Sequence, residues 1–228
     1  MKIIAVIPAY EEALRIRAVV REALRFAQEV VVIDDCSKDQ TGQIAREAGA
    51  LVIRHRLNRD QGAALKTGNL AALRLGAEII IHLDADGQHN PEDIPKIVEP
   101  ILQGKAEVVF GSRSLGLKPV GIPLERRILH VGIKWFNKVF MGIPFSITDP
   151  QSGFRAMTSA AVRELDFKQR GKAHCSEILK LAVNSRYRIV EVPIRVIYTV
   201  ETLAKGNKTR DVFKITWQLI LGAFQNKQ

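Results

Sequence analysis

Residues 78–86 read Glu78-Ile79-Ile80-Ile81-His82-Leu83-Asp84-Ala85-Asp86. An apolar run of this length, rich in β-branched side chains, predicts a strand buried on both faces. Its carboxyl end then carries two acids one residue apart, at the sheet edge where open α/β folds receive their ligands. Two like charges held that close are unfavourable unless a cation or hydrogen-bond donors neutralise them. A hard divalent ion with positions left open for phosphate oxygens, Mg²⁺ or Mn²⁺, is one answer. A turn or helix-capping pair is the other, and the triplet by itself leaves both open.

Working outward, the first half alternates strand and helix signals. Lys2–Pro8 predicts a strand, Glu11–Ala27 a helix, Val30–Ile33 a strand, and Thr41–Ala48 a helix ending at the C-cap residue Gly49. Leu51–Ile53 continues as a strand and Gly62–Leu75 as a helix. After the Asp84 strand, Pro91 opens a helix to about Leu102, and Glu107–Phe110 is a further strand. This β-α-β-α order predicts an α/β fold, a Rossmann-like and mostly parallel sheet with helices on both faces.

The second half is less regular. Amphipathic helices are expected over Leu124–Met141 and Asp211–Phe224, a loop over Asp149–Arg155, a helix over Ser176–Ser185, and an edge strand over Ile189–Ile197 interrupted by Pro193. The expectation is one domain over 1–228, with 1–112 as one half and 113–228, with its amphipathic helices, as the other.

Charge divides the same way. Residues 1–112 hold 14 Lys/Arg and 16 Asp/Glu, a balance of −2, whereas 113–228 hold 20 and 8, a balance of +12. A basic half suggests a surface that meets an anionic partner: nucleic acid, anionic lipid or a phosphorylated substrate. With aromatics at 6% and no RNP, KH or helix-turn-helix pattern, nucleic acid is not expected. Cys36 and Cys175 offer neither a disulfide framework nor CxxC spacing, and His174-Cys175 with Glu177 lacks a second ligand cluster, so free thiols are expected. No stretch approaches the roughly 20 apolar residues that cross a bilayer. A cytoplasmic location with peripheral membrane contact is therefore expected.

After the first strand stands Pro8-Ala9-Tyr10-Glu11-Glu12, neither GxGxxG nor GxxxxGK[ST]. That excludes the usual signatures of dinucleotide oxidoreductases and P-loop NTPases. The same absence of a Gly-rich loop counts against a nucleotidyltransferase. The second strand ends in Asp34-Asp35, acids able to accept from ribose hydroxyls or a base N–H. For Glu11, Glu12 and Asp34 the alternative is turn or helix-start capping.

Taken together, Ile7-Pro8-Ala9-Tyr10-Glu11-Glu12, Val32-Ile33-Asp34-Asp35-Cys36-Ser37-Lys38-Asp39-Gln40-Thr41 and Leu83-Asp84-Ala85-Asp86-Gly87-Gln88-His89 resemble the signatures of family-2 inverting glycosyltransferases. Gly111-Ser112-Arg113 and Asp149-Pro150-Gln151-Ser152-Gly153-Phe154-Arg155 narrow the resemblance to the polyprenyl- or dolichyl-phosphate sugar transferases, dolichol-phosphate mannosyltransferases among them.

The resemblance implies a GT-A fold and metal-dependent transfer of a sugar from a nucleoside-diphosphate sugar to a polyprenyl phosphate, peripherally on the inner face of the cell membrane at an anionic surface. By the same resemblance Pro8, Tyr10, Glu12, Ile33 and Asp35 would hold the nucleoside, and Asp84, Ala85 and Asp86 would lie along the diphosphate. Asp86 and Gln88 would hold Mg²⁺ or Mn²⁺. Arg113 would reach the phosphates, making Asp84, Asp86 and Arg113 the catalytic set. Arg126 and His130, one helical turn apart, would meet the acceptor phosphate with Arg113. For a glycan or soluble hydroxyl acceptor, the alternative reading, a base is needed and Asp149 is the candidate.

The chain departs from the family at Glu11, usually Asn, and at Cys36, usually Gly, where a left-handed turn is less comfortable for a side chain. The family's Asp-Arg and Gly-x-Ser-Lys stretch is replaced by Ile197-Tyr198-Thr199-Val200 and Lys205-Gly206-Asn207-Lys208. Lys205 or Lys208 could still supply a basic lid over the diphosphate.

Overall fold

A computed structural model describes residues 1–115, 147–171 and 173–196. The helices expected over Leu124–Met141 and Asp211–Phe224, and with them Arg126, His130 and Lys205, lie outside the described residues.

The strands are β1 (Ile3–Ala9), β2 (Glu29–Asp34), β3 (Leu51–Arg54), β4 (Ile79–His82), β5 (Val108–Ser112), β6 (Arg155–Thr158) and β7 (Ile189–Pro193). The helices are α1 (Ile16–Ala23), α2 (Thr41–Glu47), α3 (Asp60–Arg74), α4 (Ile94–Leu102), α5 (Ser159–Glu164) and α6 (His174–Val183), with a 3-10 turn over Pro91–Asp93 ahead of α4. The strands form one sheet in the order β3-β2-β1-β4-β6-β5-β7. All neighbours are parallel except β6, which runs antiparallel to both β4 and β5.

Alternation along the strands builds two cores. Ala5, Ile7, Val30, Val32, Ile79 and Ile81 face α1, α2 and α4; Ile4, Val6, Val31, Ile33, Ile80 and Met157 face α3, α5 and α6. Every residue of β4 is buried, as its unbroken Ile-Ile-Ile run requires. Gly49 ends α2 in the left-handed region and Pro91 opens the turn ahead of α4, both as expected, while Asn90 caps that turn by accepting the Glu92 N–H.

Three expectations are corrected. The first helix begins at Ile16, not near Glu11, because residues 10–15 are spent as a loop tied to the β2–α2 connection. The strand expected to reach Ile197 stops at Pro193. Arg188 O and Ile194 N bond to β5, so the outward main-chain positions are 189, 191 and 193, and the proline lacks its N–H on the side away from β5. The third is β6 with α5, which falls where only a loop ending at Arg155 was expected.

β6 is the element that matters most for the site. Running against its neighbours, it starts where they finish: Arg155 lies level with His82 of β4 and Phe110 of β5. The segment leading into it, residues 149–154, is thereby delivered to the sheet's carboxyl edge.

On the opposite face, α3 approaches β1 through Gly68. A Cβ there would run into Val6 Cγ1 and stand 3.3 Å from Ile33 Cγ1. Gly68→Ala should therefore lower stability by about 1–3 kcal/mol through overpacking, despite the better helix propensity of alanine. Urea unfolding checks this: the midpoint should fall with an unchanged slope.

Candidate active site

Four loops meet at the carboxyl edge, and the first two are laced together. The Glu11 N–H donates to Ser37 Oγ (3.0 Å), the Glu12 N–H to Thr41 Oγ1 (2.9 Å) and the Ala13 N–H to Asp39 Oδ2 (3.2 Å). Glu11 and Cys36 both take left-handed backbone, φ 54° and 67°, so Cys36 does occupy the turn conformation that favours glycine. Tyr10 stands partly exposed above this lacing, and the hydrogen bond and charge of Glu11 raise its phenol.

The two acids of β2 have separate work. Asp34 accepts from the Ser37 N–H (2.9 Å) and pairs with Arg54 (3.1 Å), a turn-forming role. Asp35 accepts the Arg59 N–H on both oxygens (3.0 and 3.1 Å) and meets His55 Nδ1 at 2.6 Å; His55 Nε2 in turn reaches Thr67 Oγ1 at 2.9 Å. Of the other residues expected around the nucleoside, Pro8 is buried and Ile33 is fully buried, its side chain in the core under α3. Any ligand contact from Ile33 comes from its main chain. Ala85 is buried as well.

The acids after β4 are held tightly. Asp84 Oδ1 accepts the Gln61 side-chain amide at 2.8 Å, and Oδ2 lies 3.3 Å from His89 Nδ1. A Cβ on Gly153 would sit 2.6 Å from Asp84 Oδ2, so a side chain there would have to displace the carboxylate. Phe154, next in line, stacks on His89 with ring centroids 5.4 Å apart.

Asp86 accepts the Gln88 N–H at 2.9 Å. Burial first, then the charge of Asp84, raises its carboxyl above the ordinary range, with Glu12 adding to the effect. Glu12 itself pairs with Arg15 at 3.0 Å. A partly buried carboxyl such as Asp86, raised by burial and by a neighbouring acid, is one that a hard divalent cation relieves. The oxygen-rich residues here fit a hard divalent ion such as Mg²⁺ or Mn²⁺, for which Asp86 and Gln88 are the candidate ligands. Among the described residues no three His, Cys, Asp or Glu side chains gather as a metal cage.

Across the edge, Arg113 and Asp149 form a two-pronged pair, Nε to Oδ2 at 2.7 Å and Nη2 to Oδ1 at 2.8 Å, with the Arg113 N–H adding a third bond at 3.1 Å. Glu191 accepts the Thr148 and Asp149 N–H groups and fixes the loop from below. The Asp149 carboxyl therefore has two opposed influences. Burial raises it, the hydrogen bonds and charge of Arg113 lower it, and the net direction is down.

Beneath Asp84 lies a buried polar layer that sequence reasoning touched only as free thiols. His82 Nε2 donates to Asn69 Oδ1 at 2.7 Å, and burial with the charge of Arg155 pushes the imidazole well below its ordinary range. Cys175 Sγ lies 3.4 Å from His174 Nε2 and accepts from Arg155 Nη2 at 3.8 Å. Burial would raise this thiol, but His174 and Arg155 hold it down at about 7. Both cysteines are free.

The structure thus brings Glu12, Asp84, Asp86 and Gln88 together, seats Tyr10 beside Asp35, and joins Arg113 to Asp149. His55, Arg59, Gln61 and His89 are the residues that sequence reasoning missed as partners. The signal available for His55 was its place in a basic stretch, Arg54-His55-Arg56, at the end of β3.

The Arg113–Asp149 pair carries a pH signature. A carboxyl depressed in the fold contributes stability that is complete above its unfolded value, near 3.8, and lost as pH falls through its lower native value. Asp149→Asn should cost about 2 kcal/mol at neutral pH and flatten the stability profile below pH 4, as read from denaturation midpoints across pH.

Comparison with known proteins agrees with this geometry. The family model described as glycosyl transferase family 2 matches residues 4–169. A UDP-N-acetylglucosamine–dolichyl-phosphate N-acetylglucosaminyltransferase of Methanococcus voltae is 34% identical over 95% of this chain and 94% of its own. An undecaprenyl-phosphate mannosyltransferase of Micrococcus luteus is 30% identical over 85% and 83%. Among solved structures, glucosyl-3-phosphoglycerate synthase of Mycobacterium tuberculosis superposes with a TM-score of 0.73 at 20% identity, covering 96% of this chain and 78% of that one. With a strand-end acid cluster on a mostly parallel sheet of the GT-A kind and a family match over most of its length, the chain belongs to glycosyl transferase family 2.

Proposed function

We propose that this glycosyltransferase moves a sugar from a nucleoside-diphosphate sugar to a polyprenyl phosphate. The observation that carries the reading is the convergence of Glu12, Asp84 and Asp86 at one sheet edge with a segment, 149–155, that touches Asp84 and holds Arg113. Relatives named as dolichyl-phosphate and undecaprenyl-phosphate transferases support the acceptor, and a fold neighbour solved with Mn²⁺ and UDP-glucose supports the donor.

In this reading Pro8, Tyr10, Glu12, Ile33 and Asp35 line the nucleoside, Ile33 through its main chain. Asp84, Ala85 and Asp86 lie along the diphosphate, to which Lys205 would add a positive charge. Asp86 and Gln88 would hold Mg²⁺ or Mn²⁺, whose charge neutralises the departing diphosphate. Arg113 adds a fixed cation, oriented by Asp149, and with Arg126 and His130 meets the acceptor phosphate.

The acceptor oxygen attacks the anomeric carbon, the bond to the diphosphate breaks, and its electron pair leaves with the nucleotide, inverting the centre. A phosphate monoester with a second pKa of about 6 is already largely ionised at neutral pH, so no base is required. Asp149 bears on the alternative of a hydroxyl acceptor. Its carboxyl is depressed and its two oxygens are engaged by Arg113, which suits a base poorly.

Because a polyprenyl tail stays in the bilayer, the enzyme would work peripherally on the inner face of the cell membrane, its basic half towards anionic lipid. Among the described residues no helix is long and apolar enough to cross a membrane.

Two experiments test the proposal. Thermal shift with UDP and GDP should show stabilisation that needs Mn²⁺ or Mg²⁺ and disappears in Asp86→Asn, by about 2.7 kcal/mol at a hundredfold excess over Kd. Stabilisation that survives chelation would remove the metal from the site. In transfer assays, Arg113→Ala should lose at least about tenfold in rate with undecaprenyl phosphate while donor binding holds. An equal loss of donor affinity would reassign Arg113 to the donor.

A further inference from the structure

Asp84 is gripped from a direction that the motif around it does not reveal. Its Oδ1 accepts from Gln61, the second residue of α3 and 23 positions away in sequence, while His89 and the glycine at 153 confine Oδ2. Oδ1 is thus held by a hydrogen bond, and Oδ2 is crowded by its neighbours.

The place of Gln61 is itself enforced. Asp60 opens α3 with a left-handed backbone, φ 68°, unusual for a residue with a side chain. Just before it, the Arg59 N–H is anchored on Asp35. Just after it, the Gly62 N–H donates to Arg170 O at 2.5 Å. A Cβ on Gly62 would stand 2.7 Å from that oxygen and closer still to Gln169 O, so this first turn of α3 can lie there only with glycine. The 168–170 stretch is fixed in turn by Glu177, which accepts the Lys168 and Gln169 N–H groups at 3.0 and 2.7 Å.

We propose that Gln61 is a positioning residue of the donor site: its amide fixes the Asp84 carboxylate, and the packing of Gly62 against the 169–170 main chain fixes Gln61. The orientation of an acid beside the diphosphate is thereby set from the loop that precedes α6. A hydrogen bond to an ionised carboxylate is among the stronger kinds, and misaligning a charged group at the reacting centre costs rate more than binding. The assignment of Asp84 to the diphosphate rests on the function proposed above; the contact itself does not.

The test uses Gln61→Met, close in shape but without a donor, Gln61→Lys, which restores an N–H donor at similar reach, Gly62→Ala, and the Gln61→Met/Gly62→Ala double variant. Crystal structures of the wild type and Gln61→Met without ligands give the first readout. The Asp84 carboxylate should turn away from its wild-type rotamer in Gln61→Met; an unmoved Asp84 overturns the positioning role.

The second readout is turnover with UDP-glucose or UDP-N-acetylglucosamine, Mn²⁺ and undecaprenyl phosphate. Gln61→Met should lower kcat by about 10- to 100-fold with donor KM changed by less than about threefold, and Gln61→Lys should recover most of the loss. A rise in KM alone would make Gln61 a donor contact instead. Gly62→Ala should match Gln61→Met, and the double variant should fall no further, because both act through one contact. Additive losses would sever Gly62 from Gln61. If the wild type transfers neither sugar, it is the proposed substrates that fail, and the Asp84 rotamer still decides the positioning role.

Discussion

The insertion of one antiparallel strand between β4 and β5 is the constraint on which this molecule turns. A sheet built only from β-α-β units would bring every carboxyl end to one edge and send every amino end to the other. β6 breaks that rule, so its lead-in arrives at the acidic edge instead of leaving from it. Through it the DPQSGFR segment packs on Asp84 and His89, and Asp149 comes within reach of Arg113, 36 positions earlier. The cost is a cation in the core. Arg155 begins β6 fully buried, and Nη2 contacts Cys175 while Nε and Nη1 have no hydrogen-bond partner among the described residues. Burial first, and then this cation, hold the His82 imidazole well below its ordinary range.

The acids at the edge are kept apart by giving each a different set of donors. Asp34 is spent on a turn, Asp35 on a backbone N–H and His55, Asp84 on Gln61, and Asp149 on Arg113. Asp86 is the exception, with one backbone N–H from its own loop and a carboxyl that burial and Asp84 drive upward. The least satisfied acid in the cluster is thus the one assigned to a cation, and that electrostatic inequality points to it independently of any motif.

How much of this could be read from the chain alone follows from where each interaction lives. β4 and its two acids were legible because an unbroken apolar run has one comfortable place, the middle of a covered parallel sheet. Pro91 and Gly49 were legible because each has one cheap backbone use. β6 was not: four residues starting with a buried arginine carry no periodic signal, and their strand character comes from the neighbours they pair with. The start of α1 was misplaced because Glu11–Arg15 has good helix propensity that the side-chain ties from Ser37, Thr41 and Asp39 override. Asp149 could be picked out as a residue, but its partner could not, since a pairing over 36 positions is a product of topology. Gln61 carries no signal of its own; only the fold shows what its amide touches.

One detail at the far end of the sheet has a consequence away from the chemistry. Among the described residues β7 sits at the margin, with its main-chain groups at 189, 191 and 193 turned away from β5, and the last of these is proline. A foreign strand laid along that margin would find a missing donor and a pyrrolidine ring where it needs a straight run of partners. Pro193 thus makes this margin a poor template for edge-to-edge self-association without costing β7 a bond to β5.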